Sequence, residues 1–334
     1  MQLTSLTDIL SLIPDLPRAD EAARAAAARR QDSLTKPPGS LGRLEDLALF
    51  MAGWRGTARP QIDRAQALVF AGNHGICAQG VNPYPQEVTA QMVANFDRGG
   101  AAINQLCRVA NADLRVIALD LERPTADFTA GAAMTEGETL DALNCGAAAV
   151  DSEADVLVLG EMGIGNSTVA AALAAALFGG DPADWVGPGT GSDTAGIARK
   201  ITVIEAGLAR HRGLDAMATL AAFGGREQAA ICGAVLAARA AQIPVILDGF
   251  ICTAAAAVLY VVDPQLLDHC LVGHVSAEPG HRKLLAALGK SPVLAFDMRL
   301  GEGSGAVLAL GIVRAALACH NGMATFGEAG VSSA

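Results

Sequence analysis

The stretch "DVLVLGEMGIGNSTVAAALAAALF" (155–178) changes character twice within 24 residues. Val156–Leu159 is a continuous apolar run with no polar alternation, the pattern of a strand covered on both faces. "GEMGIGN" (160–166) then places three glycines at a turn. "VAAALAAALF" (169–178) follows, built from strong helix formers. Strand, glycine turn and helix in that order form the repeating unit of a parallel sheet.

Outward from this segment the same grammar recurs. "ALVFAGNHG" (67–75), "LRVIALD" (114–120), "PVILDGF" (244–250), "CLVGHVSAEPG" (270–280) and "PVLAFDMRLGEG" (292–303) each run from apolar residues into glycine or polar ones. With 155–166 they predict an α/β fold whose parallel β-sheet has about six strands flanked by helices. Ligands of such sheets bind beyond the carboxyl ends of the strands. The residues that do not suit a core gather there: Asn73, His74, Glu161, Asp248, Ser276, Glu278 and Glu302. Residues 1–56 read as helices instead. Asp20 is placed to cap "EAARAAAARRQDSL", "TKPPGSLG" breaks the pattern, and a further helix runs from Leu41 to Trp54. The C-terminal "GMATFGEAGV" is expected to pack back on these helices.

The chain has 334 residues, beyond the usual size of one core, so a large domain plus a smaller one is expected. Hydrophobic residues make up 51% and charged ones 17%, which excludes a disordered chain. The net charge of −10 argues against nucleic acid or an anionic membrane as partner. Seven cysteines, an odd number with no CxxC pair, read as reduced thiols of a cytoplasmic protein. The N-terminus lacks the pattern of a signal peptide, and no transmembrane span is evident.

Four segments carry chemistry. In 160–168, backbone N–H groups and a helix N-terminus form an anion site. Asn166 stands where a P-loop needs Lys, so a single phosphate suits the turn better than a triphosphate; a tight turn without ligand is the alternative. Glu161 beside such a cradle is costly unless it accepts hydrogen bonds from hydroxyl groups, which a ribose supplies. "VGPGTGSDTAGIARK" (186–200) is a second glycine loop, with its third glycine misplaced for dinucleotide binding. Lys200 beyond it either neutralises a phosphate or is a solvated helix lysine. In 70–92, His74 is a candidate base or a structural hydrogen-bonding residue, and Tyr84 either walls an aromatic ligand or packs its loop. His274, Glu278 and His281 lie close in sequence but lack an i,i+4 His pair or a nearby cysteine, so a metal site is not favoured. Finally, "MRLGEGSGAVLAL" (298–310) sets Glu302 among alternate glycines. Apolar neighbours such as Leu300 would raise its proton affinity, as a general base near neutral pH requires. Capping the following helix is the alternative role.

Together "LTKPPGSLGRLEDLA" (34–48), "NHG…GV…P…VTAQM" (73–92), "GEMGIGNST" (160–168), "LDGF" (247–250), "SAEPG" (276–280) and "MRLGEGSGA" (298–306) resemble the nicotinate-nucleotide–dimethylbenzimidazole phosphoribosyltransferase family, in order and over nearly the whole chain. The resemblance implies a Rossmann-like large domain (61–314) and a small helical-bundle domain from both chain ends (1–60 with 315–334). It implies a cytoplasmic homodimer that uses no cofactor and no metal. The implied reaction moves the 5-phosphoribosyl group of nicotinate mononucleotide to 5,6-dimethylbenzimidazole, with inversion at C1′. Products are nicotinate and α-ribazole 5′-phosphate, the lower-ligand nucleotide of cobalamin. Glu302 falls at the family's general base, and Glu161 at a position associated with the ribose hydroxyls. Gly163, Gly189 and Lys200 fall at positions associated with the phosphate, and Met162 and Leu300 at the base pocket. Tyr84 and Met92 replace a Ser and a Gln that contact the base in another member, and His74 lies in the same loop. No pyrophosphate leaves, so no Mg²⁺-binding acidic pair is required; Glu45-Asp46 reads as a solvated helix face.

Two other readings stand beside this one. An NAD-linked oxidoreductase needs a G-x-G-x-x-G and a later acid, which the glycine loops do not supply. A binding protein that keeps the fold without turnover would retain ligand and release no nicotinate.

Overall fold

A computed structural model describes residues 2–332. Its centre is a six-stranded, wholly parallel sheet in the order β2-β1-β3-β4-β5-β6. The strands are β1 (Ala65–Ala71), β2 (Ala112–Ala118), β3 (Val156–Met162), β4 (Val245–Leu247), β5 (Cys270–His274) and β6 (Pro292–Leu294). All six expected strands form, each ending before its apolar-to-glycine run does. The excess becomes the loops that carry Asp248, Glu278 and Glu302.

Strand alternation decides which helices each strand residue meets. Leu68, Phe70, Leu157, Leu159, Val245 and Leu247 point into one core, packed by helices that include Glu136–Ala149, Asn166–Phe178, Arg226–Ala240 and Phe250–Val262. Ala67, Val69, Val156, Val158 and Ile246 point into the other, against Arg43–Arg55, Ala102–Ala110 and Ser304–Gly322. This double covering is why the strands read as unbroken apolar runs. Ser304–Gly322 is long and apolar enough to cross a bilayer, yet it packs on β3, β4 and β5.

The Glu136–Ala149 and Arg226–Ala240 helices approach until their backbones touch. A Cβ on Gly146 would collide with the Ala230 carbonyl, and one on Gly233 with the Leu143 carbonyl. Gly233→Ala is therefore expected to lower stability by about 1–3 kcal/mol through overpacking, read as a fall in the chemical denaturation midpoint; an unchanged midpoint would mean that the helix pair can separate at no cost.

Asp20 caps Glu21–Ser33 as expected, accepting from the Ala23 N–H. The chain ends meet: Leu34 bridges Thr325, the Arg30 guanidinium donates to the His320, Asn321 and Met323 carbonyls, and His320 meets Gln31. Leu3, Leu6 and Ile9 belong to the first sheet core. Glu45 is not on a solvated face: it pairs with buried Lys36 at 2.8 Å and accepts from the Leu41 N–H.

Candidate active site

β1 has β2 on one side and β3 on the other, so the chain reverses its winding between β1 and β3. Such a switch point leaves a crevice beyond the strand ends. A cavity occupies that place, walled by Glu161 and Met162 at the end of β3 and Gly163 after it, Asp248 after β4, His274 at the end of β5 and Glu278 after it, and Leu300 after β6. Tyr84, Gly189 and Lys200 complete it from separate loops and a helix.

The glycine turn at 301–305 crosses directly over the end of β3. The Glu302 N–H donates to the Glu161 carbonyl at 3.1 Å. A Cβ on Gly160 would collide with the Gly303 amide, so this crossing requires glycine. Glu302 itself sits at φ +65°, in the left-handed region that L side chains seldom adopt. Residues held so usually cluster at functional sites. Its carboxyl is buried, and Oε2 meets no protein partner. Burial, and then the charge of Asp248, pushes it up to about 7.

Glu302 does not cap the following helix. Asp248 does: its Oδ2 accepts from the Gly303 N–H at 3.1 Å and its Oδ1 from the Ala306 N–H at 2.9 Å. His274 Nε2 lies 3.5 Å from the same Oδ1. Asp248→Asn keeps one cap bond and removes the charge. Glu302 then falls back toward an ordinary carboxylate, so the acidic limb of a Glu302-dependent rate is expected to move to lower pH. The measurement is a pH–rate profile; a limb that stays in place would remove Asp248 as the cause.

Glu161 is buried, and its Oε2 accepts from Asn166 Nδ2. The Asn that departs from the P-loop pattern thus restrains the acid of the same turn. Burial, with the charges of Asp248, Glu227 and Glu302, holds Glu161 well above the carboxylate range. A carboxyl so placed can accept a hydrogen bond from one hydroxyl and, when protonated, donate one to another.

The Asn166–Phe178 helix begins at Gly165 with no side-chain cap. Beside it Lys200 is buried, not solvated, with Nζ 3.3 Å from Ser167 Oγ and 3.2 Å from the Gly187 carbonyl. Burial pulls its proton affinity down. Gly189 (φ +56°) donates its N–H to Glu278 Oε1 at 2.8 Å. Lysine, serine hydroxyl and helix N–H groups together suit an anion.

Two expected residues do not reach the cavity wall. His74 is fully buried behind Gly163, with Nε2 3.1 Å from Glu227 Oε1 but outside hydrogen-bonding alignment. The reason is that its loop turns into the core directly after β1. Met92 lies in the Glu87–Asp97 helix and packs against the second sheet core. Tyr84 and Leu300 are about half exposed at the mouth. His281 is committed elsewhere: Nδ1 accepts from the Ser276 N–H and Nε2 meets Thr253 Oγ1, and burial pushes the ring down to about 3. Sequence reading missed Glu227, whose only signal is an acid after a glycine pair in "GGREQ"; it placed Asp248 at a strand end without a role and weighed His274 only as an unfavoured metal ligand.

A family model described as phosphoribosyltransferase matches residues 16–331. A nicotinate-nucleotide–dimethylbenzimidazole phosphoribosyltransferase from Rhodobacter capsulatus is 69% identical over 333 residues, covering 100% of both chains. The protein of the same name from Novosphingobium aromaticivorans is 59% identical, covering 99% of this chain and 98% of its own. Among solved structures, that of the Thermus thermophilus enzyme of this name superposes with a TM-score of 0.88 at 43% identity, covering 94% of this chain and 100% of that one.

Proposed function

The chain belongs to the nicotinate-nucleotide–dimethylbenzimidazole phosphoribosyltransferase family, and from that premise we propose that the cavity transfers the 5-phosphoribosyl group of nicotinate mononucleotide to 5,6-dimethylbenzimidazole. The products are nicotinate and α-ribazole 5′-phosphate, for the lower-ligand nucleotide loop of cobalamin. The observation that carries the residue roles is Glu302: a buried carboxyl at the switch point, with a free Oε2 and a proton affinity near neutrality. At that value it takes the benzimidazole N–H proton while the other ring nitrogen attacks C1′. Nicotinate leaves from the opposite face, which inverts the anomeric centre from β to α. The electron pair of the broken C1′–N bond stays on the pyridine nitrogen, so departure requires no acid.

Glu161 accepts the ribose hydroxyls. Lys200, Ser167, Gly163 and the start of the Asn166–Phe178 helix receive the phosphate. Met162, Leu300 and Tyr84 border the acceptor base. Holding both substrates in register contributes much of the rate, since well-oriented reactions gain roughly 7–11 kcal/mol from proximity. His74 and Met92 stand behind the wall, against Glu227 and the second core, and take no direct part.

A helical unit from residues 1–60 and 315–334 beside the 61–314 catalytic unit belongs to the same reading, supported by the contacts of Arg30 and His320 across the chain ends. So do a homodimer and a cytoplasmic setting. The first is supported by Tyr84, Phe296 and Leu300, all about half exposed or more on loops after the strands. The second is supported by seven cysteines without a disulfide.

The test is direct. The protein is mixed with nicotinate mononucleotide and 5,6-dimethylbenzimidazole without added metal, and products are followed by chromatography. Equal release of nicotinate and α-ribazole 5′-phosphate is expected. Bound nucleotide with no nicotinate released, also with benzimidazole or adenine as acceptor, would favour a binding protein instead.

A further inference from the structure

The proposed reaction gives no part to Glu278, although its carboxylate lies in the cavity wall among the groups suited to phosphate. The side chain is buried, at 6% exposure. Its Oε1 accepts the Gly189 N–H at 2.8 Å. Its Oε2 lies so close to Gly187 that a Cβ there would collide with it. Lys200 Nζ binds the Gly187 carbonyl at 3.2 Å, so a cation and an anion grip the same loop, one on a carbonyl and the other on an N–H. A carboxylate in this place repels a phosphate dianion and occupies a donor that the phosphate needs.

Building on the phosphate reading above, we propose that Glu278 holds the Gly189 donor in the free protein and yields it to the phosphate of the incoming nucleotide by taking up one proton from solvent. The exchange balances. One hydrogen bond passes from a carboxylate oxygen to a phosphate oxygen, and one proton moves from water or buffer to the carboxylate. The neutral carboxyl then donates where the charged one repelled. A phosphomonoester gains from this exchange; an unphosphorylated nucleoside does not.

The surroundings support the proton's destination. Burial already raises Glu278, opposed by the Gly189 N–H, Lys200 and Arg299. Among the described residues Lys200 and Arg299 are the cations that face this carboxyl. The Asn166–Phe178 and Phe250–Val262 helices packed on the Pro279–Ala287 helix carry no charged residue. Asp184, in the 3₁₀ turn beside it, is paired with Lys283 at 2.7 Å. His281, one turn on, stays neutral.

The test is titration calorimetry of the full chain with nicotinate mononucleotide, and separately with inorganic phosphate, in two buffers of different ionisation enthalpy. At about pH 8 the ligand phosphate is already a dianion, its second ionisation lying near 6. Wild type is expected to take up close to one proton per site, and its Kd to rise up to about tenfold per pH unit above that pH, the limit for one linked proton. Glu278→Gln keeps an oxygen for the Gly189 N–H. It is expected to lose the uptake, flatten the pH dependence and bind the nucleotide at least as tightly as wild type at alkaline pH. Full uptake and an unchanged slope in Glu278→Gln would overturn the inference, as would a wild type that binds with no uptake. If neither probe binds folded wild type, the phosphate reading itself falls.

Discussion

Glu302→Gln is expected to lower kcat roughly 10²–10⁴-fold, the usual contribution of a positioned general base, while nicotinate mononucleotide still binds. The amide matches the carboxyl in size, and the backbone at φ +65° is fixed by the Gly160 crossing and the N–H bond to Glu161, neither of which involves the side chain. What the substitution removes is the ability to accept a proton. Stopped-assay turnover and calorimetric binding of the nucleotide separate the two effects. Turnover like wild type would take the base role away from Glu302; loss of nucleotide binding as well would make it a binding residue.

Lys200→Met should act on the other half of the reaction. Methionine retains the buried stem, but the charge beside Ser167 and Gly187 disappears. A charged hydrogen bond is worth about 1.5–3 kcal/mol, so the KM for nicotinate mononucleotide is expected to rise roughly 10–150-fold. The KM for 5,6-dimethylbenzimidazole should hold within a few-fold. Equal loss for both substrates would point to a collapsed loop, and no loss to a lysine with a structural task only. Glu302 and Lys200 substitutions thus divide between rate and donor affinity. Asp248→Asn, by contrast, shifts the pH at which the rate develops.

The proton economy of the cavity follows from burial more than from any one pair. Glu161, Asp248, Glu278 and Glu302 are all raised, with burial as the first cause for each. Of these, Glu302 is the one held to about 7 with a carboxyl oxygen left unpartnered. Asp248 spends both oxygens on helix N–H groups and Glu161 is tied to Asn166, so neither is as free to receive a proton from an incoming ring.

Much of this protein is legible in its amino-acid order. The double-sided burial of β1 and β3 is written as unbroken apolar runs, because parallel strands under helices have no solvent face to mark. Glu161 and Glu302 stand out for the same reason: an acid next to glycine at the end of such a run is costly to bury without a partner. Asp20 is readable as a cap because capping is local, a matter of three residues. The cap of the Ser304–Gly322 helix is not readable, since its acid comes from 55 residues earlier. Only the pairing of β4 beside β3, with the 301–305 turn laid across them, brings Asp248 to those N–H groups and frees Glu302 from them. The same holds for His74, which reads either as a base or as a structural residue until β1, the Gly163 turn and Glu227 close around it. Lys200 reads either as a phosphate cation or as a solvated helix lysine until the Gly187 loop folds over it. Periodicity and capping act between near neighbours, so the sequence alone determines the strands, the turns and which acids are out of place. Which acid caps, which waits for a proton and which grips a loop depends on contacts between distant segments, and the tertiary structure alone decides that.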